Sequence, residues 1–219
     1  MTQNGDMKKI YLYTRFERFW HWLQALLLIL LLITGLEVHG TYELMGFEQA
    51  VEWHNFLGLA WLVLFVFIVF WLLTTGEWKQ YVPTTRKLFQ VVRYYAVGIF
   101  RGEPHPVQKS RDAKHNPLQR LTYLGLSAVL LPIQMITGLL YYTYNSWPEW
   151  GLGWMSLEVL AIIHMAGAFA IFAFLIVHVY MTSTGHSITA HLSAMISGYE
   201  EVEREYEVPE WERHEKGVR

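Results

Sequence analysis

Residues 164–178 read HMAGAFAIFAFLIVH, a run of apolar, aromatic and small residues with a histidine at each end. A membrane-spanning helix needs about 20 predominantly apolar residues, and the apolar run that surrounds this stretch, from 155 to 182, exceeds that length. Because an imidazole inside a bilayer is costly unless it has a partner, the two histidines indicate a functional site within the membrane.

The same length criterion selects three more segments, which gives spans at about 19–38, 54–75, 121–142 and 155–182. Hydrophobic residues make up 53% of the 219 residues, whereas charged residues make up only 16% and cluster between the spans. This distribution is typical of membrane proteins. The sequence therefore predicts an all-α fold, an integral membrane four-helix bundle that forms one domain over residues 1–205, with a cytoplasmic tail at 206–219.

The basic residues predict how the spans are oriented. All 17 lysines and arginines precede the first span, lie between the second and third spans, or follow the fourth. The two remaining loops contain none of them and carry five glutamates, at positions 37, 43, 48, 52 and 149. The positive-inside rule then places both termini and the 76–120 loop in the cytoplasm of a bacterium, with the chain crossing the inner membrane several times. The lipid bilayer is one expected partner, and nucleic acid is not.

The cytoplasmic segments outside the spans carry amphipathic patterns. Within TTRKLFQVVRYYAVGIFRG (84–102), apolar residues recur at helical spacing between basic ones, which predicts an interfacial helix on anionic lipid or a docking surface. The apolar positions are Leu88, Val91, Val92, Tyr95 and Ile99. After the fourth span, residues 186–208 begin amphipathic and end acidic, which predicts a short surface helix followed by a loose tail.

Four histidines lie within the predicted spans at two depths. His164 and His178 are about 21 Å apart along a helix and about 40° apart around it, so both face one seam of the bundle. His21 lies near the cytoplasmic end of the first span, at the depth of His178, and His54 lies at the level of His164. The chain has no cysteine, which excludes iron–sulfur clusters, thiolate zinc sites and covalently attached c-type haem.

Pairs of neutral imidazoles at two depths fit the axial ligation of two haem groups. A zinc or copper site would instead need three or four ligands that converge at one depth. The alternative for each single histidine is a hydrogen bond between helices. His39, five turns after His21, is the rival of His54 for the outer haem, although its place beside Glu37 and Gly40 favours a solvated interfacial residue.

The chain resembles the di-haem cytochrome b subunits of membrane respiratory complexes. The resemblance covers residues 10–200 and rests on RFERFWHWLQALLLILLLITGLEVHG (15–40), VEWHNFLGLAW (51–61), HNPLQRLTYLGL (115–126) and the histidine pair of the fourth span. The family includes the cytochrome b subunits of nickel–iron hydrogenases, the gamma subunit of formate dehydrogenase-N and the cytochrome b of thiosulfate reductases. The resemblance implies two haem b groups, an inner one held by His21 and His178 and an outer one held by His54 and His164.

The resemblance also implies a site for menaquinone or ubiquinone on the cytoplasmic side. In the formate dehydrogenase subunit, an asparagine and a glycine two residues later contact a quinone analogue. Asn116 matches that asparagine, whereas Leu118 replaces the glycine. Asn116 before Pro117 is also typical of a helix N-cap, and both roles can hold together.

Several charged groups complete the expected site. Candidate proton donors to the quinone are His115, Glu17 and Glu103, and candidate counter-ions of the inner-haem propionates are Arg15 and Arg18, although membrane anchoring also explains these arginines.

The expected function is electron transfer between a periplasmic redox subunit and the quinone pool, by a membrane-anchoring subunit that is one part of an oxidoreductase. The partner would be an iron–sulfur or multihaem subunit of a hydrogenase, formate dehydrogenase or sulfur-compound reductase type of complex. One alternative is a stand-alone quinone oxidoreductase that is similar to bacterial cytochrome b561. The other is a haem-free membrane anchor or metal transporter that uses the histidines as ligands.

Overall fold

The protein is described by a computed structural model over residues 7–107, 114–184 and 189–203. Helices dominate these ranges, and the α-helices are α1 (Arg15–Val38), α2 (Phe47–Thr75), α3 (Leu88–Ala96), α4 (Pro117–Gly125), α5 (Leu131–Tyr142), α6 (Leu157–Thr182) and α7 (Ala190–Ser197). Short 3-10 turns cover Glu77–Tyr81, Gly98–Arg101 and Tyr144–Ser146. Two strands, β1 (Met7–Tyr11) and β2 (Tyr199–Glu203), complete the elements.

Four of these helical segments are long and apolar enough to cross a membrane, which confirms the predicted all-α membrane fold. They are α1, α2, the continuous helix Pro117–Tyr142, and α6. The second helix begins at Phe47, seven residues before the predicted start. The prediction began too late because the first turns of the helix carry Glu48 and Glu52, which interrupt the apolar run. Acidic side chains near a helix N-terminus are favourable because they complement the helix dipole.

The third membrane helix changes its winding once. A single π-helical turn at Leu126–Leu130 joins α4 to α5, and Pro132 is the second residue of α5. Proline has no N–H to donate to the preceding turn, and a π-turn accommodates the backbone around the missing hydrogen bond. The span therefore continues as one helix up to Tyr142 despite its internal proline.

The loop between α1 and α2 is fixed by a buried carboxylate. Glu37 is only 3% exposed, and its Oε1 atom accepts backbone hydrogen bonds from Leu44, Met45 and Gly46 at 2.7–2.8 Å. Hydrogen bonds to a charged acceptor are stronger than neutral ones, so three of them hold the connection against the end of α1. A glutamate that the sequence places in an acidic loop is thus a structural anchor.

The loop after α2 contains the expected amphipathic helix. α3 buries Val91 completely, while Phe89 remains 80% exposed on the other side. Two features differ from the prediction: Val92 is exposed, and the helix ends at Ala96, so that Ile99 lies in the following 3-10 turn. An ion pair between Arg93 and Glu103, at 3.2 Å, links α3 to the chain beyond that turn.

The two ends of the described chain pair in an antiparallel ribbon, which the sequence did not predict. The short helix after the fourth span is confirmed as α7, but the chain then forms β2, which pairs with β1 so that Lys9 faces Glu201 and Tyr11 faces Tyr199. Gly198 joins α7 to β2 with a φ of 90°, a backbone conformation that favours glycine. A side chain there would also meet the carbonyl oxygen of Tyr13 at 2.8 Å. The predicted tail at 206–219 lies outside the described residues.

The chain divides into two compact units. The first unit contains β1, α3, α4, α7 and β2, and the second contains most of the long helices. The described residues of the first unit fall within 1–18, 71–126 and 181–219, and those of the second within 19–70 and 127–180.

Candidate haem sites

The structure brings the four intramembrane histidines together in two pairs, both in the second unit. The ring centroids of His21 in α1 and His178 in α6 are 6.1 Å apart, with 44° between the ring planes. Those of His54 in α2 and His164 in α6 are 6.2 Å apart, with 83° between the planes. We call these the inner pair and the outer pair. They are the pairs that the depth argument and the family resemblance both select.

The spacing of each pair fits two axial ligands of one iron. Metal–imidazole bonds of about 2.0–2.1 Å, added to about 1.1 Å from each nitrogen to its ring centre, place the centroids about 6.3 Å apart. The observed distances of 6.1 and 6.2 Å agree with that geometry. Among the described residues, no three histidine, aspartate or glutamate side chains converge, so a zinc or copper centre of ordinary protein ligands finds no support there.

The surroundings of the inner pair are apolar and aromatic. Phe174, one turn before His178 on α6, stacks on that imidazole at 5.6 Å, and Trp22 lies edge-on to His21 at 5.2 Å. The Nδ1 atom of His21 is buried and has no hydrogen-bond partner among the described residues. If His21 held a haem iron through Nε2, its Nδ1 would carry the proton and would find no acceptor among these residues.

The outer pair is held by polar side chains that the sequence reasoning did not select. The hydroxyl Oγ1 of Thr34 lies 2.9 Å from His54 Nδ1, and that of Thr137 lies 2.9 Å from His164 Nδ1. Gln134 is buried and brings its Nε2 within 3.3 Å of His164 Nε2. One signal in the sequence could have indicated the two threonines: both belong to the same tetrapeptide, Ile-Thr-Gly-Leu, at 33–36 and at 136–139.

His39 lies outside both pairs. It follows the last residue of α1, it is exposed, and its Nδ1 is 3.4 Å from the hydroxyl oxygen of Thr41. The geometry therefore favours the interfacial interpretation of His39 and favours His54 as the partner of His164.

The two candidate propionate counter-ions differ in their contacts. Arg15 is exposed at the start of α1, whereas the guanidinium of Arg18 donates to the carbonyl of Ile196 in α7. Arg18 thus connects α1 to α7 within the first unit. A role of either arginine towards haem propionates stays a prediction.

Asn116 caps α4, as its position before Pro117 predicts. Its Oδ1 accepts from the backbone N–H of Gln119 at 2.9 Å, and the Gln119 Oε1 accepts from the Asn116 N–H at 3.0 Å. The pair forms a complete capping box. The Asn116 Nδ2 also donates to the hydroxyl of Tyr95 at 3.1 Å, which leaves its second N–H for another acceptor.

A buried ion-pair cluster lies in the same unit as Asn116. The ammonium of Lys114 is 2.6 Å from Glu17 Oε1 and 3.7 Å from Glu77 Oε2, and the lysine side chain is only 6% exposed. His115 lies between the rings of Tyr81 and Tyr123, at 5.3 and 5.1 Å. Of the candidate proton donors, His115 adjoins Asn116 in sequence and Glu17 pairs with Lys114, two residues before Asn116, whereas Glu103 pairs with Arg93.

Burial keeps three tyrosines of the first unit protonated. It raises the pKa of Tyr95 to about 12, although the hydrogen bond from Asn116 partly opposes this shift. Burial first, and then the nearby charge of Glu200, raises the pKa of Tyr13 well above its usual range. For Tyr81, burial and the charge of Glu17 raise the pKa in the same way.

These tyrosines predict a loss of stability at alkaline pH. Each pKa is higher in the folded than in the unfolded chain, so the stabilisation is complete below about pH 10 and is lost as the pH rises towards 12. We expect the free energy of unfolding to fall above pH 10 by up to about 1.4 kcal/mol per pH unit for each tyrosine. Thermal unfolding in detergent across this pH range measures the effect, and Tyr95→Phe should reduce the slope. An identical slope in that variant would contradict the assignment.

Comparisons with known proteins identify the family of the chain. The family model described as prokaryotic cytochrome b561 matches residues 12–198. The chain is 32% identical over 209 residues to the putative cytochrome YdhU of Escherichia coli (strain K12), a match that covers 90% of this chain and 76% of that protein.

Two other relatives carry the name "probable Ni/Fe-hydrogenase B-type cytochrome subunit". The protein from Rhodobacter capsulatus is 25% identical over 216 residues, covering 87% of this chain and 80% of its own length. The protein from Rhizobium leguminosarum bv. viciae is 24% identical over 217 residues, covering 88% and 89%. No solved structure matches the chain at a significant level. The chain therefore belongs to the prokaryotic cytochrome b561 family, and it is a multi-pass bacterial membrane protein of electron transport that carries haem b.

Proposed function

We propose that the chain is the di-haem membrane subunit of a respiratory redox complex and transfers electrons between a periplasmic redox subunit and the membrane quinone pool. The observation that carries this proposal is the presence of two imidazole pairs, whose ring centroids are 6.1 and 6.2 Å apart. The helix α6 contributes one histidine to each pair. The two histidines of α6 are fourteen residues apart, a separation of about 21 Å along the helix axis.

The chain's own residues would bind and insulate two redox groups. The haem would supply reversible one-electron chemistry, and two imidazoles at one iron would keep oxygen from binding there. The histidines would hold the iron, and Phe174 and Trp22 would give the inner site an aromatic surrounding. Because the two pairs lie at different depths, electron transfer across the bilayer would take place in two stages.

The distribution of basic residues supports an orientation with both termini in the cytoplasm. The outer pair then faces the periplasmic partner and the inner pair faces the cytoplasmic side. Electrons that cross in this direction carry charge through the membrane potential, at about 2.3 kcal/mol per electron per 100 mV. The reverse direction would serve a quinol-oxidising complex with a periplasmic reductase.

The relatives support a hydrogenase type of complex as the partner, because two of them are named as Ni/Fe-hydrogenase B-type cytochrome subunits. A formate dehydrogenase or sulfur-compound reductase type of complex is compatible with the same arrangement. The family description also supports the second candidate, a stand-alone quinone oxidoreductase of the cytochrome b561 type. Co-purification separates them: full quinone reactivity in the isolated chain favours the stand-alone protein.

The quinone would be menaquinone or ubiquinone, with Asn116 as the candidate donor to a quinone oxygen. Within the described part of the chain, one N–H of its amide makes no hydrogen bond, and Glu17 and His115 of the same unit are candidate proton donors. Leu118 makes a backbone contact at this position less favourable than the glycine of the formate dehydrogenase subunit. The proposal therefore assigns the contact to the Asn116 side chain alone.

The test combines haem quantification with quinol reactivity. The protein purified from membranes should hold two haem b per chain and be reduced by a short-chain menaquinol or ubiquinol analogue. In Asn116→Asp the side chain still caps α4 but has no N–H, so we expect at least a tenfold loss of quinol reactivity with unchanged haem content. Asn116→Ser, another good cap, is the matched control for helix stability. A single haem per chain, or none, would overturn the di-haem proposal.

A further inference from the structure

The same tetrapeptide lies beside each histidine of the outer pair. Ile-Thr-Gly-Leu occurs at 33–36 in α1 and at 136–139 in α5, and we call these two segments the ITGL segments. The first contacts His54 on α2, and the second contacts His164 on α6. Two different helices thus present an identical sequence to the two members of one pair.

Each threonine hydroxyl occupies the same position in a hydrogen-bond chain. Thr34 Oγ1 lies 2.9 Å from the carbonyl oxygen of Leu30, one turn earlier, and 2.9 Å from His54 Nδ1. Thr137 Oγ1 lies 2.8 Å from the carbonyl oxygen of Ile133 and 2.9 Å from His164 Nδ1. A hydroxyl has one proton, and a carbonyl oxygen can only accept it. With that proton donated to the carbonyl oxygen, as contacts of this length between a threonine hydroxyl and the backbone allow, the hydroxyl accepts from the imidazole, whose proton then lies on Nδ1.

The amide of Gln134 also lies at this imidazole, with its Nε2 atom 3.3 Å from His164 Nε2. An imidazole with its proton on Nδ1 has a lone pair on Nε2, which is the form that binds a metal. A haem iron at His164 would take the lone pair that faces the Gln134 amide in this structure.

The glycine of each ITGL segment lets the imidazole lie against the helix backbone. A Cβ at Gly35 would come within 3.0 Å of His54 Cε1, and a Cβ at Gly138 within 3.2 Å of His164 Cε1. Both distances are tighter than ordinary van der Waals contacts between carbon atoms, which lie at about 3.5–4.0 Å. The absence of a side chain therefore permits the approach that brings each threonine hydroxyl to Nδ1.

We propose that the two ITGL segments are cradles for the outer-pair histidines. The cradles fix the tautomer and ring orientation of each histidine and make it a more basic ligand. This inference rests on the proposed haem at the outer pair. A hydrogen bond from Nδ1–H to an acceptor increases the electron density at Nε2, which stabilises the ferric state and lowers the midpoint potential. His21 of the inner pair has no such bond among the described residues, so the cradles distinguish the two haem sites.

The test replaces each hydroxyl and follows the potential of one haem. In Thr34→Val, Thr137→Val and the double variant, we expect the outer-haem midpoint potential to rise and the electron paramagnetic resonance signal of its ferric form to change. The inner-haem potential should stay constant. Thr34→Ser and Thr137→Ser keep the hydroxyl and should restore wild-type values. The control is Thr143→Val, because the Thr143 hydroxyl bonds to the Leu139 carbonyl at 2.9 Å without contacting a histidine in the described structure.

A second pair of variants covers the case in which the valine variants do not assemble. Gly35→Ala and Gly138→Ala should lower the content of the outer haem, whereas Gly125→Ala, where a Cβ would meet no atom within 4 Å, should not. Unchanged potential, spectrum and haem content in the double valine variant would overturn the cradle proposal. By contrast, wild-type protein whose haem content does not depend on His54 or His164 would overturn the proposed function itself.

Discussion

Replacing His178 with alanine is expected to remove the inner haem and leave the outer haem in place. His178 forms one half of the inner pair, so in its absence His21 alone would hold a haem there. The haem content should fall from two per chain to one, and a redox titration should change from two components to one. Pyridine haemochrome quantification and a potentiometric titration measure these two effects.

The partner variants make this prediction specific to pairs. His21→Ala should lose the same component as His178→Ala, because both belong to the inner pair. His54→Ala and His164→Ala should both lose the other component. His39→Ala is the matched control, since that histidine is exposed beyond the end of α1. Loss of different components within one pair, or two haems retained in His178→Ala, would contradict the assignment.

The apolar runs and their histidines contain most of what the sequence could predict. A span is recognisable because the bilayer imposes a length of about 20 apolar residues and satisfies none of the backbone groups. Once the spans are assigned, histidine depth follows from residue position, and the pairing of His54 with His164 follows from depth. The second helix was predicted too short because the first turns of a membrane helix can be polar, as Glu48 is here.

The contacts that depend on distant parts of the chain could not be predicted. The ribbon joins Lys9 to Glu201, and no local pattern in five-residue strands indicates such a partner. Lys114 and Glu17 are 97 residues apart, yet their charged atoms lie 2.6 Å apart. The threonines beside the outer pair are the intermediate case. Their repeated tetrapeptide is visible in the sequence, but its meaning depends on which helix packs against it.

The buried ion pair between Lys114 and Glu17 gives the second large effect. We expect Lys114→Met to lower the free energy of unfolding by about 3 kcal/mol, because it leaves the Glu17 carboxylate partly buried without its cation. The lysine and glutamate side chains are 6% and 18% exposed, so water compensates little for the lost contact. Thermal or denaturant unfolding in detergent measures the change.

Two further variants separate the ion pair from general effects of substitution. Glu17→Gln should lower the free energy of unfolding by less than Lys114→Met does, because Glu77 remains 3.7 Å from the Lys114 ammonium. The double variant should lose less of this free energy than the sum of the two single losses. Lys9→Met is the matched control: Lys9 also pairs with a glutamate, at 3.5 Å from Glu201, but its side chain is 71% exposed. Water screens an exposed pair of this kind, so the control should leave the free energy of unfolding nearly unchanged. Equal effects of Lys114→Met and Lys9→Met would mean that burial does not strengthen the Lys114–Glu17 pair.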